Sequence, residues 1–321
     1  DEAAAVRVVG AVGQPLGVVR VVSRILPTCP FAAPFHDGRT SPNVLRLLVA
    51  AAEAVEAVRV ALDSGVDVNS KNRGYTCLHI AVFHAIPALV DFLLAAGAEV
   101  DAIAHGHTPL HFAAYAAPEE SMLVSHKGPK LRKLRKKLVP ELDRAYANIT
   151  RQLVAAGADV DAPIPGLVHS EDATVRALHV ASRGGFSKIV AELIAGGADV
   201  NAVDSYGITP LNWAMHIMDD FPTTVHTDIV KALLAAGAEP NAKVDTENLG
   251  GWSLFHAAAH LGNLEVVDAL LRAGARVDMQ RHHGAPALYD AVQEGHDRVV
   301  DRLIEAGADS SKGVKKEVFG N

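Results

Sequence analysis

Only two cysteines, Cys29 and Cys77, occur in the chain. Two cannot build a disulfide framework or a zinc cluster, and their scarcity suits a reducing compartment. Residence inside the cell is therefore expected, cytoplasmic or nuclear first, with an organelle as the alternative. Aromatic residues make up 5% of the chain while Ala is abundant, which excludes a bulky aromatic core and suits thin helices packed closely. No uncharged apolar run reaches the roughly 18 residues that would span a bilayer. The first forty residues lack the pattern of a signal peptide, because acids lead and Arg7, Arg20 and Arg24 interrupt the apolar stretch. Nucleophile elbows, phosphate loops, HExxH and usefully spaced carboxylate pairs are all missing, so neither catalysis nor a cofactor is expected. Gly10, Gly13 and Gly17 do not make a dinucleotide loop: Pro15 stands where a helix should start, and the segment is too short for that domain. Residues 1–40 read instead as an extended segment that docks elsewhere.

What the chain has is repetition. One ending recurs, as in DSGVDVN, AAGAEVDA, AAGADVDA, AGGADVNA, AAGAEPNA, RAGARVDM and EAGADSS, with its glycine at 65, 97, 157, 197, 237, 274 and 307. The intervals are 32, 60, 40, 40, 37 and 33 residues; against a unit of about 33, surpluses of roughly 27, 7, 7 and 4 remain. A second phrase follows about eleven residues after most of these glycines: GYTCLHIAV, GHTPLHFAA, GITPLNWAM, GWSLFHAAA and GAPALYDAV, with VRALHVA as a degenerate copy.

The chemistry of the two phrases explains their order. Thr108 and Thr209 sit where a hydroxyl can cap a new helix, and Pro109 and Pro210 follow at the first helical position, where a missing N–H costs nothing. The LLxAG ending puts Gly where a left-handed residue closes a helix. One such unit cannot bury its own apolar face, so neighbours must stack.

The T-P-L-H-x-A phrase in register with the G-A-D-V-N ending resembles the ankyrin repeat. The resemblance implies an all-α repeat solenoid of helix-turn-helix plus β-hairpin units, with residues 41–313 as the repeat domain. Units are expected at 41–69, 70–102, 103–162, 163–202, 203–242, 243–279 and 280–313, followed by a tail, 314–321. Residues 42–64 are expected to form two helices of an N-terminal cap, and the last unit a C-terminal cap. It further implies that His79, His111, His179 and His256 hydrogen-bond the turn. The spacing H-x-H-x3-H at His105, His107 and His111, and the pair His282–His283, offer imidazoles, but no Cys or carboxylate completes a metal set.

In this family, the residues beside the hairpin glycine and on the inner side of the first helix line a concave groove. Position by position, the resemblance assigns Arg73, Tyr75, His105, His107, Tyr206, Ile208, Trp252, His283 and Ala285 to it. Rings and Arg are the usual anchors of interfaces.

The largest surplus, 118–145, interrupts the third unit. It carries Lys127, Lys130, Arg132, Lys133, Arg135, Lys136 and Lys137 in a chain whose net charge is −7, so the remainder sums to −14. Leu131, Leu134 and Leu138 share one face of a helix. This basic arm is open to three readings: a solvated loop, a contact for an acidic protein, or a contact for nucleic acid or anionic lipid. The leading expectation for the whole is a non-catalytic scaffold or adaptor that binds another protein through the concave hairpin side, with the arm as a second electrostatic contact. The alternatives are an accessory subunit of a larger, organellar or membrane-associated assembly, and a nucleic-acid- or lipid-binding regulator acting through residues 127–137.

Overall fold

In a computed structural model of the chain, the structure describes residues 44–115, 143–164, 175–215, 225–241, 252–281 and 284–309. The basic arm, His282, His283 and residues 1–43 lie outside them. The chain divides into two compact units, Asp1–Ala162 and Pro163–Asn321. Unit 1 contains α1 (Val44–Asp63), α2 (Cys77–Phe83), α3 (Pro87–Ala95), α4 (Pro109–Tyr115) and α5 (143–155). Unit 2 contains α6 (Ala177–Gly184), α7 (Ser187–Ala195), α8 (Pro210–Ala214), α9 (Thr227–Ala235), α10 (Leu254–His260), α11 (Leu264–Arg272), α12 (Ala287–Gln293) and α13 (Asp297–Glu305). Hairpins between repeats are reduced to isolated bridges, Asn72 to Tyr75, Ala104 to His107, Ile164 to Val175 and Gln280 to Pro286.

The glycine ending works as the sequence predicts. Gly97, at φ +87°, donates its N–H to Leu94 at 3.1 Å while Ala98 donates back to Leu93 at 3.0 Å. That is a Schellman closure, and it recurs at all seven glycines of the ending. Behind it, Leu78, Leu89, Val90 and Leu93 are fully buried in the second repeat, and Leu178, Ile189, Val190 and Leu193 in the fourth. Burying each such side chain contributes about 1.5–3 kcal/mol.

At five of the G-A-D-V-N phrases the ending residue ties one repeat to the next. Asn69 Oδ1 accepts the N–H of Glu99 at 2.8 Å and its Nδ2 donates to the Gly97 carbonyl at 3.3 Å. Asn201 does the same to Glu239 and Gly237, and Asn241 to Arg276 and Gly274. Asp101 and Asp278 play the acceptor half for Asp159 and Asp309. The sequence reading passed over this bridge.

Two expectations change. Residues 44–63 form one helix of 20 residues, not two. Elsewhere a left-handed residue separates the paired helices, as at Ala85, Gly185, Gly262 and Gly295; residues 44–63 contain neither Gly nor Pro, so nothing stops the first helix. Thr108, expected as a cap, has a buried hydroxyl without a hydrogen-bond partner among the described residues. Its N–H is taken instead by His111 Nδ1 at 3.0 Å. Thr209 does cap, accepting from Asn212 N at 3.4 Å. Among the described residues no helix is long and apolar enough to cross a membrane.

Candidate partner-binding surface

The signature histidines brace the backbone rather than face outward. His79, His111, His179 and His256 are all buried. Each accepts at Nδ1 from the residue three positions before it: Thr76, Thr108, Arg176 and Ser253, at 3.0–3.3 Å. The turn bond is thus the expected one. Each then donates from Nε2 to a distant carbonyl: His79, His179 and His256 reach His107 at 3.2 Å, Ile208 at 3.1 Å and Ala285 at 3.0 Å in the next repeat, and His111 reaches Ala162 at 3.0 Å, at the end of its own long repeat. Burial pushes all four down to about 4, so each is neutral at physiological pH with its proton on Nε2. Because both nitrogens of His111 are engaged, it cannot complete a metal site with His105 and His107. Asn212 fills the same slot in the fifth repeat, accepting from Thr209 N and Oγ1 at 3.2 and 2.6 Å, and its Nδ2 has no hydrogen-bond partner among the described residues.

In unit 1 the residues left facing outward are rings. Tyr75 lies 5.0 Å from His105 and 6.1 Å from Phe112, centroid to centroid. His107 lies 6.1 Å from both Phe112 and Tyr115, and Phe83 lies 6.5 Å from Phe112 and 5.2 Å from His84. These rings form one strip over the hairpins and first helices of the second and third repeats, His105 exposed and the others half-buried. Burial raises the Tyr115 phenol to about 12 and lowers His84. Tyr75, His105 and His107 were read from the sequence; Phe83, Phe112 and Tyr115 were not. Their signal was legible, since Phe112 and Tyr115 stand one and four residues after a signature His, and Phe83 four after.

The hairpin tips carry cations. Arg73 is exposed, and its carbonyl accepts from His105 Nε2 at 2.9 Å. Lys71 is also exposed, and its Nζ donates to the Ile103 carbonyl at 3.2 Å. His107 Nδ1 donates to the His105 carbonyl at 3.0 Å.

Unit 2 arranges the corresponding positions differently. Tyr206 stands out at a hairpin tip, 48% exposed, on a turn organised by Asp204, whose Oδ1 takes the N–H groups of Tyr206 and Ile208 at 2.9 Å. The Oδ2 of Asp204 takes Trp213 Nε1 at 3.0 Å. Trp252 lies half-buried beneath the Arg281 guanidinium, 4.0 Å from its ring centre, and Arg281 pairs with buried Asp290. His260 Nδ1 meets Glu294 at 3.3 Å. One assignment is corrected: Ile208 is 1% exposed and offers a partner nothing. At the register where Tyr75 and His107 extend a long ring toward solvent, its short aliphatic chain stays beneath the hairpin. His283 and the seven basic residues of the arm lie outside the described residues.

A family model for ankyrin repeats matches residues 47–124, 143–244 and 223–313. The chain belongs to the ankyrin-repeat family. Among its relatives is the mouse B-cell lymphoma 3 protein homolog, 32% identical over 212 residues, which are 65% of this chain and 38% of that protein. Another is the ankyrin repeat protein nuc-2 of Neurospora crassa, 27% identical over 243 residues, 69% of this chain and 20% of that protein. The chain thus spans well under two thirds of the length of either relative. Among solved structures, the ankyrin repeat domain of Bcl-3 aligns at 24% identity and a TM-score of 0.53, covering 84% of this chain and 99% of that one. The human ASB11 ankyrin repeat domain aligns at 24% and 0.51, covering 82% and 98%. Ankyrin repeats are generally protein–protein interaction modules and typically non-enzymatic.

Proposed function

We propose that this ankyrin chain is a non-catalytic scaffold that holds a partner protein on its hairpin side, with the basic arm of residues 127–137 supplying a second, electrostatic contact. The observation that carries the reading is the ring strip of unit 1. Tyr75, His107, Phe112 and Tyr115 sit side by side on a rigid helix-and-hairpin base, partly open to solvent. Rings held this way lose little conformational freedom on binding, and Tyr ranks among the commonest hot-spot residues. The signature histidines that brace the base are turned inward, so they leave the strip's outer side to a partner.

The test is affinity capture from native extract with three baits: the intact chain, a Tyr75→Ala/Phe112→Ala variant, and a variant with the seven arm cations changed to Gln. The expected result is a captured protein that the ring variant loses, while the arm variant holds it more weakly and with less salt dependence. An unchanged capture profile from a ring variant that keeps its helical circular dichroism sinks the proposal.

A further inference from the structure

The same surface also carries a charge pattern that narrows the partner's chemistry. Residues 70–86 and 102–115, which build the hairpin tips and first helices around the ring strip, contain no Asp or Glu. The chain as a whole is at −7. Among the described residues, Asp67 and Asp101 sit in the turns after the second helices, where Asp67 accepts the N–H of Asn69 at 3.0 Å and Asp101 that of Asp159 at 3.1 Å. At the tips stand Lys71, Arg73 and His105, all exposed.

The backbone singles out two of these. Arg73 and His105 each precede a hairpin glycine and hold φ at +51°. This left-handed geometry suits Asn, Asp or Gly and costs a larger side chain on the order of 1 kcal/mol. Tyr206, before the corresponding glycine of unit 2, is not among the positive-φ residues. The two tips also rest on each other. A Cβ built on Gly74 would come within 3.1 Å of the His105 ring, and the His105 Nε2 bond to the Arg73 carbonyl fixes the stack. The Arg73 cation is therefore held, at some backbone cost, along the edge of the rings, with exposed Lys71 two residues before it.

We propose that this face of unit 1 takes an extended acidic segment of a partner protein. Its carboxylates lie against Arg73 and Lys71, and its apolar side chains lie on Tyr75, Phe112 and Tyr115. The inference rests on the protein-binding reading above and gives the partner's class. Rim cations supply selectivity and encounter rate, and the rings supply the buried area.

The test uses the full chain with the seven arm cations changed to Gln, so that the arm cannot hold the probe. The probes are two fluorescein-labelled peptides of equal length, one built of Glu-Leu-Asp-Phe units and one of Gln-Leu-Asn-Phe units, followed by fluorescence anisotropy. The acidic peptide should bind about tenfold more tightly, and the advantage should shrink as salt shortens the Debye length. Lys71→Gln with Arg73→Asn should abolish that advantage without lowering the thermal midpoint, because both side chains are exposed and Asn suits the left-handed turn. Arg298→Gln, which removes an exposed cation from unit 2, should leave it unchanged. Equal binding of the two peptides, binding of neither, or an advantage that survives the Lys71 and Arg73 double variant overturns the inference. Equal binding lost in Tyr75→Ala/Phe112→Ala rejects the acidic class yet leaves the protein-binding surface standing, and the capture experiment reports on that surface separately.

Discussion

Lys71 and Arg281 occupy the same hairpin position, three residues before the tip glycine, one in each unit. Their fates differ. Lys71 is exposed and touches only a backbone carbonyl among the contacts described. Arg281 is drawn inward, one face on Trp252 and its N–H groups toward Asp290, whose side chain is 6% exposed. The cause lies one residue after the signature-His slot. That position holds Ile80 and Phe112 in unit 1, but Asp290 in the last repeat of unit 2. A buried carboxylate must be neutralised, and the nearest hairpin cation is used for it. The same unit also spends Asp204 on a turn and on Trp213. The comparison teaches that the charge available to a partner is set less by how many cations a hairpin carries than by what the following helix buries beneath them.

The largest expected effect tests what the units share. His79 and His111 in unit 1, and His179 and His256 in unit 2, are held neutral, lowered by burial from 6.5 to about 4. A folded value below the unfolded one means the stabilisation is complete above pH 6.5 and is lost as pH falls toward 4. Each ring then withdraws on the order of 3 kcal/mol. Four together, about 12 kcal/mol, fall within the roughly 5–15 kcal/mol that holds a typical domain. Helical circular dichroism should therefore collapse between pH 6.5 and 4; retention of full helicity at pH 4 would break the account.

The second test separates the units. Arg281→Met leaves Asp290 buried and uncompensated, at an expected cost of about 3–5 kcal/mol. Adding Asp290→Leu should restore most of it. Lys71→Met, the matching change in unit 1, should stay within about 0.5 kcal/mol. Urea denaturation of the four chains measures all of this, and equal effects at 71 and 281 would erase the distinction drawn above.

Much of this fold was legible in the sequence because its signals are local. The glycine of the recurring ending closes a helix at each of its seven copies, and the Thr or Ser of the T-P-L-H phrase begins one at 76, 108, 209 and 253. What escaped depends on groups about 30–50 residues apart. The Nε2 bond from His111 reaches Ala162, 51 residues on, and Asn69 reaches Glu99, 30 residues on; no short window contains both partners. Residues 42–64 were misread because the repeat pattern was imposed where its breaker was missing. On the surface, Tyr75, His105 and His107 were read from their offset to the hairpin glycine. The same rule wrongly admitted Ile208, because register fixes where a side chain starts and its length fixes whether it emerges.

A smaller effect compares two helix ends. Gly97 in unit 1 has φ +87° and nothing within 4 Å of a built Cβ. Gly97→Ala therefore meets only the left-handed backbone cost, about 1 kcal/mol. Gly262 in unit 2 has φ +65°, and a Cβ there would lie 2.6 Å from the His296 ring, which donates to the His260 carbonyl at 3.0 Å. Gly262→Ala must displace that ring as well and should cost about 2 kcal/mol or more. Equal losses in thermal denaturation would show that the ring moves freely.

The smallest effect carries the opposite sign. Arg73 holds a left-handed φ of +51° with an exposed side chain, so nothing buried is lost when it is shortened. Arg73→Asn should raise stability by about 0.5 kcal/mol, because Asn adopts that geometry more readily. Tyr206→Asn, at the unit 2 tip where φ is not positive, should give no such gain. A rise confined to position 73 means that the arginine is kept at a cost to folding. A fall on Arg73→Asn would mean instead that the arginine stabilises unit 1 itself, and its place at the tip would need no partner to explain it.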